Sequence, residues 1–196
     1  MKKFAALLLA SMLLLPFSSY AGDKGRFGVV GGFTSSNVPL KDVTFKNAND
    51  FTAGIAYNQP LLLGFSLQPQ LVYSGKASEI SGVHANLKYV EVPVQVQWGI
   101  DLFRILKVYA LAEPFVGYTV GGQIGDHDIL GNLKSRWEYG LGVGAGVTVA
   151  SHVQVSFKYY WNLEPNGIKD YIEQVIADIS QAKSFNGLVI SAGIFF

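Results

Sequence analysis

The sequence predicts an all-β fold: an eight-stranded, antiparallel, up-and-down transmembrane barrel with one short helix in its last long connection. Three observations carry this. Eight segments of about ten residues alternate with period two, the length a tilted strand needs to cross a bilayer. A leader with the features of an export signal precedes them. Aromatic side chains gather at the two ends of the apolar face, as two membrane interfaces require.

Each segment opposes an apolar face to one of a different kind. The first sets Phe27, Val29, Gly31 and Phe33 against Gly28, Val30, Gly32 and Thr34. The second sets Phe51, Ala53, Ile55 and Tyr57 against Thr52, Gly54, Ala56 and Asn58. In the third, Phe65, Leu67, Pro69, Leu71 and Tyr73 oppose Ser66, Gln68, Gln70, Val72 and Ser74. The fourth places Val90, Val92, Val94, Val96 and Trp98 opposite Tyr89, Glu91, Pro93, Gln95 and Gln97. The fifth places Val108, Ala110, Ala112, Pro114, Val116 and Tyr118 opposite Tyr109, Leu111, Glu113, Phe115, Gly117 and Thr119.

The sixth segment is the clearest. Trp137, Tyr139, Leu141, Val143, Ala145 and Val147 face away from Arg136, Glu138, Gly140, Gly142, Gly144, Gly146 and Thr148. Then Val153, Val155, Phe157, Tyr159 and Trp161 oppose Gln154, Ser156, Lys158, Tyr160 and Asn162. In the last, Leu188, Ile190, Ala192, Ile194 and Phe196 alternate with Gly187, Val189, Ser191, Gly193 and Phe195, and the chain stops on an aromatic ring. Pro69, Pro93 and Pro114 each remove a ladder donor inside a strand, and β-bulges are the expected accommodation.

At the other end, Lys2 and Lys3 precede the apolar run Phe4–Leu15, Pro16 breaks it, and Ser19-Tyr20-Ala21 supplies small residues for cleavage. Residues 1–21 are therefore expected to be a signal peptide, and residues 22–196 the barrel domain. The chain contains no Cys, which excludes a disulfide framework and a lipidated cysteine. Charged residues make up 15% of the chain, against about 25% in ordinary soluble domains. The net charge is only +1, with two of the lysines in the leader, so there is no electrostatic footprint for nucleic acid. No later run reaches the ~18 apolar residues of a transmembrane helix.

Connections 36–49, 77–86, 121–134 and 163–184 are long and polar, whereas 59–64, 99–107 and 150–152 are shorter. Bacterial outer-membrane barrels have long outer loops and short periplasmic turns, and an even strand number puts both termini in the periplasm. On the apolar face, Phe33, Phe51, Tyr73, Tyr118, Trp137, Tyr139, Tyr159 and Trp161 fall near the long connections. Phe27, Tyr57, Phe65, Trp98 and Phe196 fall at the opposite ends, with aliphatic residues between. A soluble barrel would have no reason to sort aromatics this way.

Eight strands enclose a space that side chains fill. The inner face carries Glu91, Glu113, Arg136, Glu138 and Lys158 with Gln68, Gln70, Gln95, Gln97 and Gln154. Buried charges require partners, so these are expected to form a paired network; an ion path or a catalytic carboxylate pair is the competing reading. The inner glycines Gly140, Gly142, Gly144 and Gly146 would make room for bulky groups on facing strands. Gly140, Gly142 and Ala145 also fit a dinucleotide pattern formally, but their period of two and the lack of a following helix empty the match.

His84 and His127 fall in expected outer loops and His152 in a turn, none with a partner at metal-ligand spacing. Asp126-His127-Asp128 reads as a solvated loop tip rather than a cation site. No catalytic residue, metal or cofactor is assigned. In the connection 163–184, Asp170 can cap a helix, Glu173 follows three residues on, and Ile172, Val175, Ile176 and Ile179 share a face. This helix either packs over the barrel mouth or meets a surface partner.

Gln68-Pro69-Gln70-Leu71-Val72-Tyr73-Ser74, Tyr89-Val90-Glu91-Val92-Pro93 and the Gly140–Gly146 stretch resemble the outer membrane protein beta-barrel domain family, the small porin-family proteins of Gram-negative bacteria. Tyr89, Glu91 and Pro93 are the most telling, and Ala112-Glu113-Pro114 is similar to the family's Ala-Gly-Pro with Glu113 replacing Gly. The resemblance implies an eight-stranded barrel in the outer membrane, among lipid and lipopolysaccharide, but no substrate. The aromatic ending at Phe196 resembles the signal read by the barrel-assembly machinery, which with periplasmic chaperones would handle the chain during biogenesis. The favoured expectation is a filled barrel with a structural or surface-interaction role. A narrow solute channel, a soluble lipocalin-like carrier and a rim-sited enzyme are the alternatives.

Overall fold

The computed structural model describes residues 24–36, 49–80, 83–103, 105–124, 127–128, 136–163 and 186–196. Nine strands occur among them: β1 (Arg26–Ser36), β2 (Asn49–Pro60), β3 (Phe65–Ile80), β4 (Val83–Phe103), β5 (Leu106–Ile124), β6 (His127–Asp128), β7 (Trp137–Val149), β8 (Val153–Asn162) and β9 (Gly187–Phe195). Eight long strands pair antiparallel in the order β4-β3-β2-β1-β9-β8-β7-β5, and β4 pairs with β5 to close the ring. The two-residue β6 only prolongs the hairpin edge of β5, opposite Gln123 and Ile124. The result is a closed up-and-down barrel, in which no strand edge is left open.

Alternation places the two faces as the sequence predicts. Phe27, Val29, Phe33, Ile55, Leu71, Trp98, Val143, Phe157 and Ile194 are exposed, whereas Gln68, Gln97, Glu113, Glu138 and Thr119 are buried. A soluble carrier with an apolar hollow would show the reverse. Val94 and Leu188 depart from the pattern, for both are almost covered although their neighbours at i±2 face outward.

Several boundaries differ from expectation. Segment 77–86 is largely hairpin rather than loop, because the β3–β4 ladder continues from Ala77↔Asn86 to Ile80↔Val83. Likewise Ile100↔Val108, Asp101↔Lys107 and Phe103↔Leu106 carry the β4–β5 ladder through most of 99–107. Apolar alternation marks only strand that lies against lipid. In 77–86 the backbone hydrogen bonds hold a hairpin whose sequence shows no apolar alternation, whereas in 99–107 Ile100 and Leu102 continue the row of Val96 and Trp98. His84 and His127 accordingly stand in strands, opposite Glu79 and Ile124.

The prolines produce no bulges. Across Pro69 and Pro93 the β3–β4 register is the same on both sides, Pro69↔Val94 and Val72↔Glu91, with the pairs between them missing. The register shifts in β4–β5 occur instead at Lys88/Tyr89 and Asp101/Phe103. Each proline costs local ladder bonds and leaves the faces unshifted. The expected signal peptide (1–21) and the helical pattern from Asp170 to Ile179 lie outside the described residues.

The start of β1 and the end of the chain meet at the short-turn end. Phe196 N–H donates to the Phe27 carbonyl at 2.9 Å, and Phe195 N–H to the His152 carbonyl at 2.7 Å.

Candidate functional site

The inward rows of five strands converge on the upper lumen, toward the long connections. Lys76 continues the series Gln68, Gln70, Val72, Ser74 on β3; Glu91 and Gln95 come from β4, Glu113 from β5, Glu138 from β7, and Lys158, Tyr160 and Asn162 from β8. Such charges are tolerable in a dehydrated interior only when paired.

Lys76 is the hub, with only 3% of its side chain exposed. Its Nζ lies 2.6 Å from Glu91 Oε1 and 2.5 Å from Glu138 Oε1. Asn162 Nδ2 donates to the other Glu138 oxygen at 2.7 Å. Three rings surround the ammonium, with centroids at 4.6 Å (Tyr89), 4.8 Å (Phe115) and 5.2 Å (Tyr160), so cation–π attraction adds to the ion pairs.

A second pair, Lys158 with Glu113, heads a chain of amides running toward the short turns. Gln95 Nε2 donates to Glu113 Oε2 at 2.6 Å, and Gln97 Nε2 donates to Gln95 Oε1 at 2.8 Å and Gln68 Oε1 at 3.1 Å. Asn58 Nδ2 donates to the same Gln68 oxygen at 2.9 Å. Amides in series hold one another's orientation, which stiffens the lumen wall.

Glu91, Glu113, Glu138 and Lys158 thus face inward together. Arg136 does not stand with them: it is exposed just before β7, its carbonyl accepting the Thr119 N–H at 2.7 Å. The cation between Glu91 and Glu138 is Lys76, two residues past the third alternating segment, which ends at Ser74. Extending the i+2 row past Ser74 would have found it.

The inner glycines differ among themselves. A Cβ on Gly140 would lie 2.2 Å from Trp161 O and 2.4 Å from Phe115 Cζ, and one on Gly146 would lie 2.5 Å from Tyr109 Cζ and 2.6 Å from Val155 O, so both yield space to a ring on β5 and to the β8 backbone. A Cβ on Gly144 would strike the β8 backbone at Phe157 O, 2.1 Å away. On Gly142 it would find nothing closer than 3.6 Å, so that position gives room to no bulky neighbour.

Little space remains inside. A cavity of about 40 Å³ lies against Thr34, Thr52, Ser74, Lys76, Glu91 and Lys158. A smaller one of about 10 Å³ touches Gln68, Gln95, Gln154 and Ser156. One water needs roughly 10–15 Å³, so these are sites for a few waters. Among the described residues no group of three or more His, Cys, Asp or Glu could hold a metal.

On the outer face, rings pair along the belts: Phe27 with Tyr57 at 4.7 Å, Phe51 with Tyr73 at 6.1 Å, Tyr118 with Trp137 at 5.1 Å, and Tyr159 with Trp161 at 4.9 Å. Phe33 stands opposite Phe51, Trp98 opposite Phe65, and Tyr139 opposite Val116. Phe196 is 73% exposed at the short-turn end.

The family model described as "Outer membrane protein beta-barrel domain" matches residues 5–194. No curated protein matches the sequence. The crystal structure of Neisserial surface protein A is similar with a TM-score of 0.53 at 14% identity, covering 88% of this chain and 96% of that one. Ail, the attachment invasion locus protein of Yersinia pestis, gives 0.45 at 15% identity, covering 89% and 100%. The outer membrane enzyme PagL gives 0.41 at 15% identity, covering 87% and 98%. At these identities the likeness to the Neisserial protein concerns fold alone.

Proposed function

Because this chain belongs to the outer membrane protein beta-barrel domain family, a family of the bacterial outer membrane, we propose that it serves there as a closed barrel with a structural or surface-interaction role. In this reading residues 1–21 are removed on export. The long connections face outward, both termini face the periplasm, and residues 163–184 meet any surface partner. Lipid and lipopolysaccharide cover the apolar belt, and Phe196 is presented to the barrel-assembly machinery during biogenesis.

The observation that supports a non-conducting barrel is the ion-paired hub itself. Lys76, Glu91 and Glu138 cross the lumen from three strands, and the cavity beside them has room for only a few waters. A solute would have to break buried ion pairs to pass. Reconstitution into planar bilayers tests this: the expected record is flat, and reproducible unitary steps would support the narrow-channel alternative instead. Protease added to intact cells tests the orientation, with cleavage expected within 163–184 and none in the short turns.

A further inference from the structure

We infer that the β2–β3 and β4–β5 turns are not water-facing turns but an apolar foot that dips into the lipid leaflet at the short-turn end of the barrel. This rests on the membrane reading above and adds to it a one-sided mode of seating.

The β2–β3 turn consists of Leu61, Leu62, Leu63 and Gly64, and its three leucines are 54%, 66% and 88% exposed. Turn tips that face water take Gly, Asn, Asp or Ser, whose side chains suit the backbone and the solvent alike. Here Leu63 holds φ at 60°, a conformation in which a bulky residue is an outlier. A leucine in a strained, fully solvated position gains nothing from water, whereas acyl chains reward its side chain.

The neighbouring turn carries the same character. Trp98, Ile100, Leu102 and Ile105 are all about half exposed or more. The two turns abut: Gly64, with φ at 80°, approaches β4 so closely that a Cβ there would lie 2.3 Å from Gly99 O. Asp101 and Lys107 are register partners on the alternate row, and Arg104 stands in the sequence between Phe103 and Ile105. The exposed apolar row therefore continues from Leu71, Phe65, Val96 and Trp98 into Ile100, Leu102 and the leucines of the turns, with Asp101 exposed beside it. Lipid covers that row in any outer-membrane barrel, and continuity makes lipid the occupant of the foot.

The far side has exposed apolar residues at its strand ends, such as Phe27 and Phe196, but no apolar turn. There the β7–β8 turn is Ala150, Ser151 and His152, short and exposed. The asymmetry seats the β2–β5 side deeper than the β7–β9 side.

Single cysteines at 62, 63, 102 and 105, carrying a nitroxide, can be read in vesicles of phosphatidylethanolamine and phosphatidylglycerol by collision with oxygen and with a water-soluble nickel chelate. Position 143 serves as the lipid reference and position 151 as the water reference. The expected oxygen-to-nickel ratio at the four foot positions resembles that at 143 and exceeds that at 151 several-fold. Nickel-accessible labels at 62 and 63 beside a lipid-like 143 would overturn the inference and leave the membrane reading intact. A water-like 143 would instead sink the membrane reading. Shielding at 62 that disappears when protein is diluted in lipid would assign the foot to contact between copies, and would overturn the inference as well.

Discussion

Lys76 of β3 reaches across the lumen to Glu138 of β7, Nζ to Oε1 at 2.5 Å, although β4 and β5 lie between the two strands in the ring. The contact joins opposite walls rather than neighbours. Its loss is felt by two carboxylates at once, since Glu91 shares the same ammonium.

Lys76→Met is therefore expected to destabilise the folded barrel by about 3–5 kcal/mol, the cost of leaving buried charge without its partner. Urea unfolding in detergent, followed by the difference in mobility between unheated and boiled samples, measures this. Lys76→Met combined with Glu138→Gln is expected to cost less than the two single losses added together, because the members of one network couple. Strict additivity would show that the ion pair contributes nothing.

Exposure sets the contrast with Lys88. It pairs with Asp50 at 2.5 Å, but 26% of its side chain meets solvent. Lys88→Gln is expected to cost about 1–3 kcal/mol, less than Lys76→Met because water reaches the lysine, but more than a surface pair because Asp50 is only 7% exposed and would lose its cation. The cost shrinks further at high salt, as an incompletely buried pair is screened.

The glycines of β7 offer a graded series. Gly140→Ala and Gly146→Ala force a methyl into Phe115 and Tyr109 and against the β8 backbone, and each is expected to cost about 1–3 kcal/mol. Gly142→Ala, whose added Cβ is 3.6 Å from its first neighbour, is expected to change stability by no more than about 0.5 kcal/mol. Equal effects at the three sites would mean that ring accommodation is not what these residues do.

The belt makes its own prediction. Val143 is on the outward row of β7 and 40% exposed. Val143→Arg is expected to cost roughly 2–4 kcal/mol in a bilayer, where the mid-membrane penalty for a cation applies. In lauryl detergent micelles the loss is smaller, so refolding yields into thick and thin bilayers report the depth of the site.

How much of this was legible in the chain follows from what a local pattern can encode. The period-two rows, from Phe27-Val29-Phe33 to Ile190-Ile194-Phe196, fixed strand number, face and membrane residence, because alternation is a property of each strand alone. The same rows put Glu91, Glu113, Glu138 and Lys158 inside. They did not reveal that β3 and β4 run on through 77–86, since that stretch carries no apolar alternation. Nor did they reveal Lys76, which lies at the edge of that silent stretch. Which inward charges touch depends on how the closed ring staggers β3 against β7, and on where the ladder steps at Lys88/Tyr89 rather than at the prolines. Closure is a relation among all the strands at once, and only the folded barrel sets it.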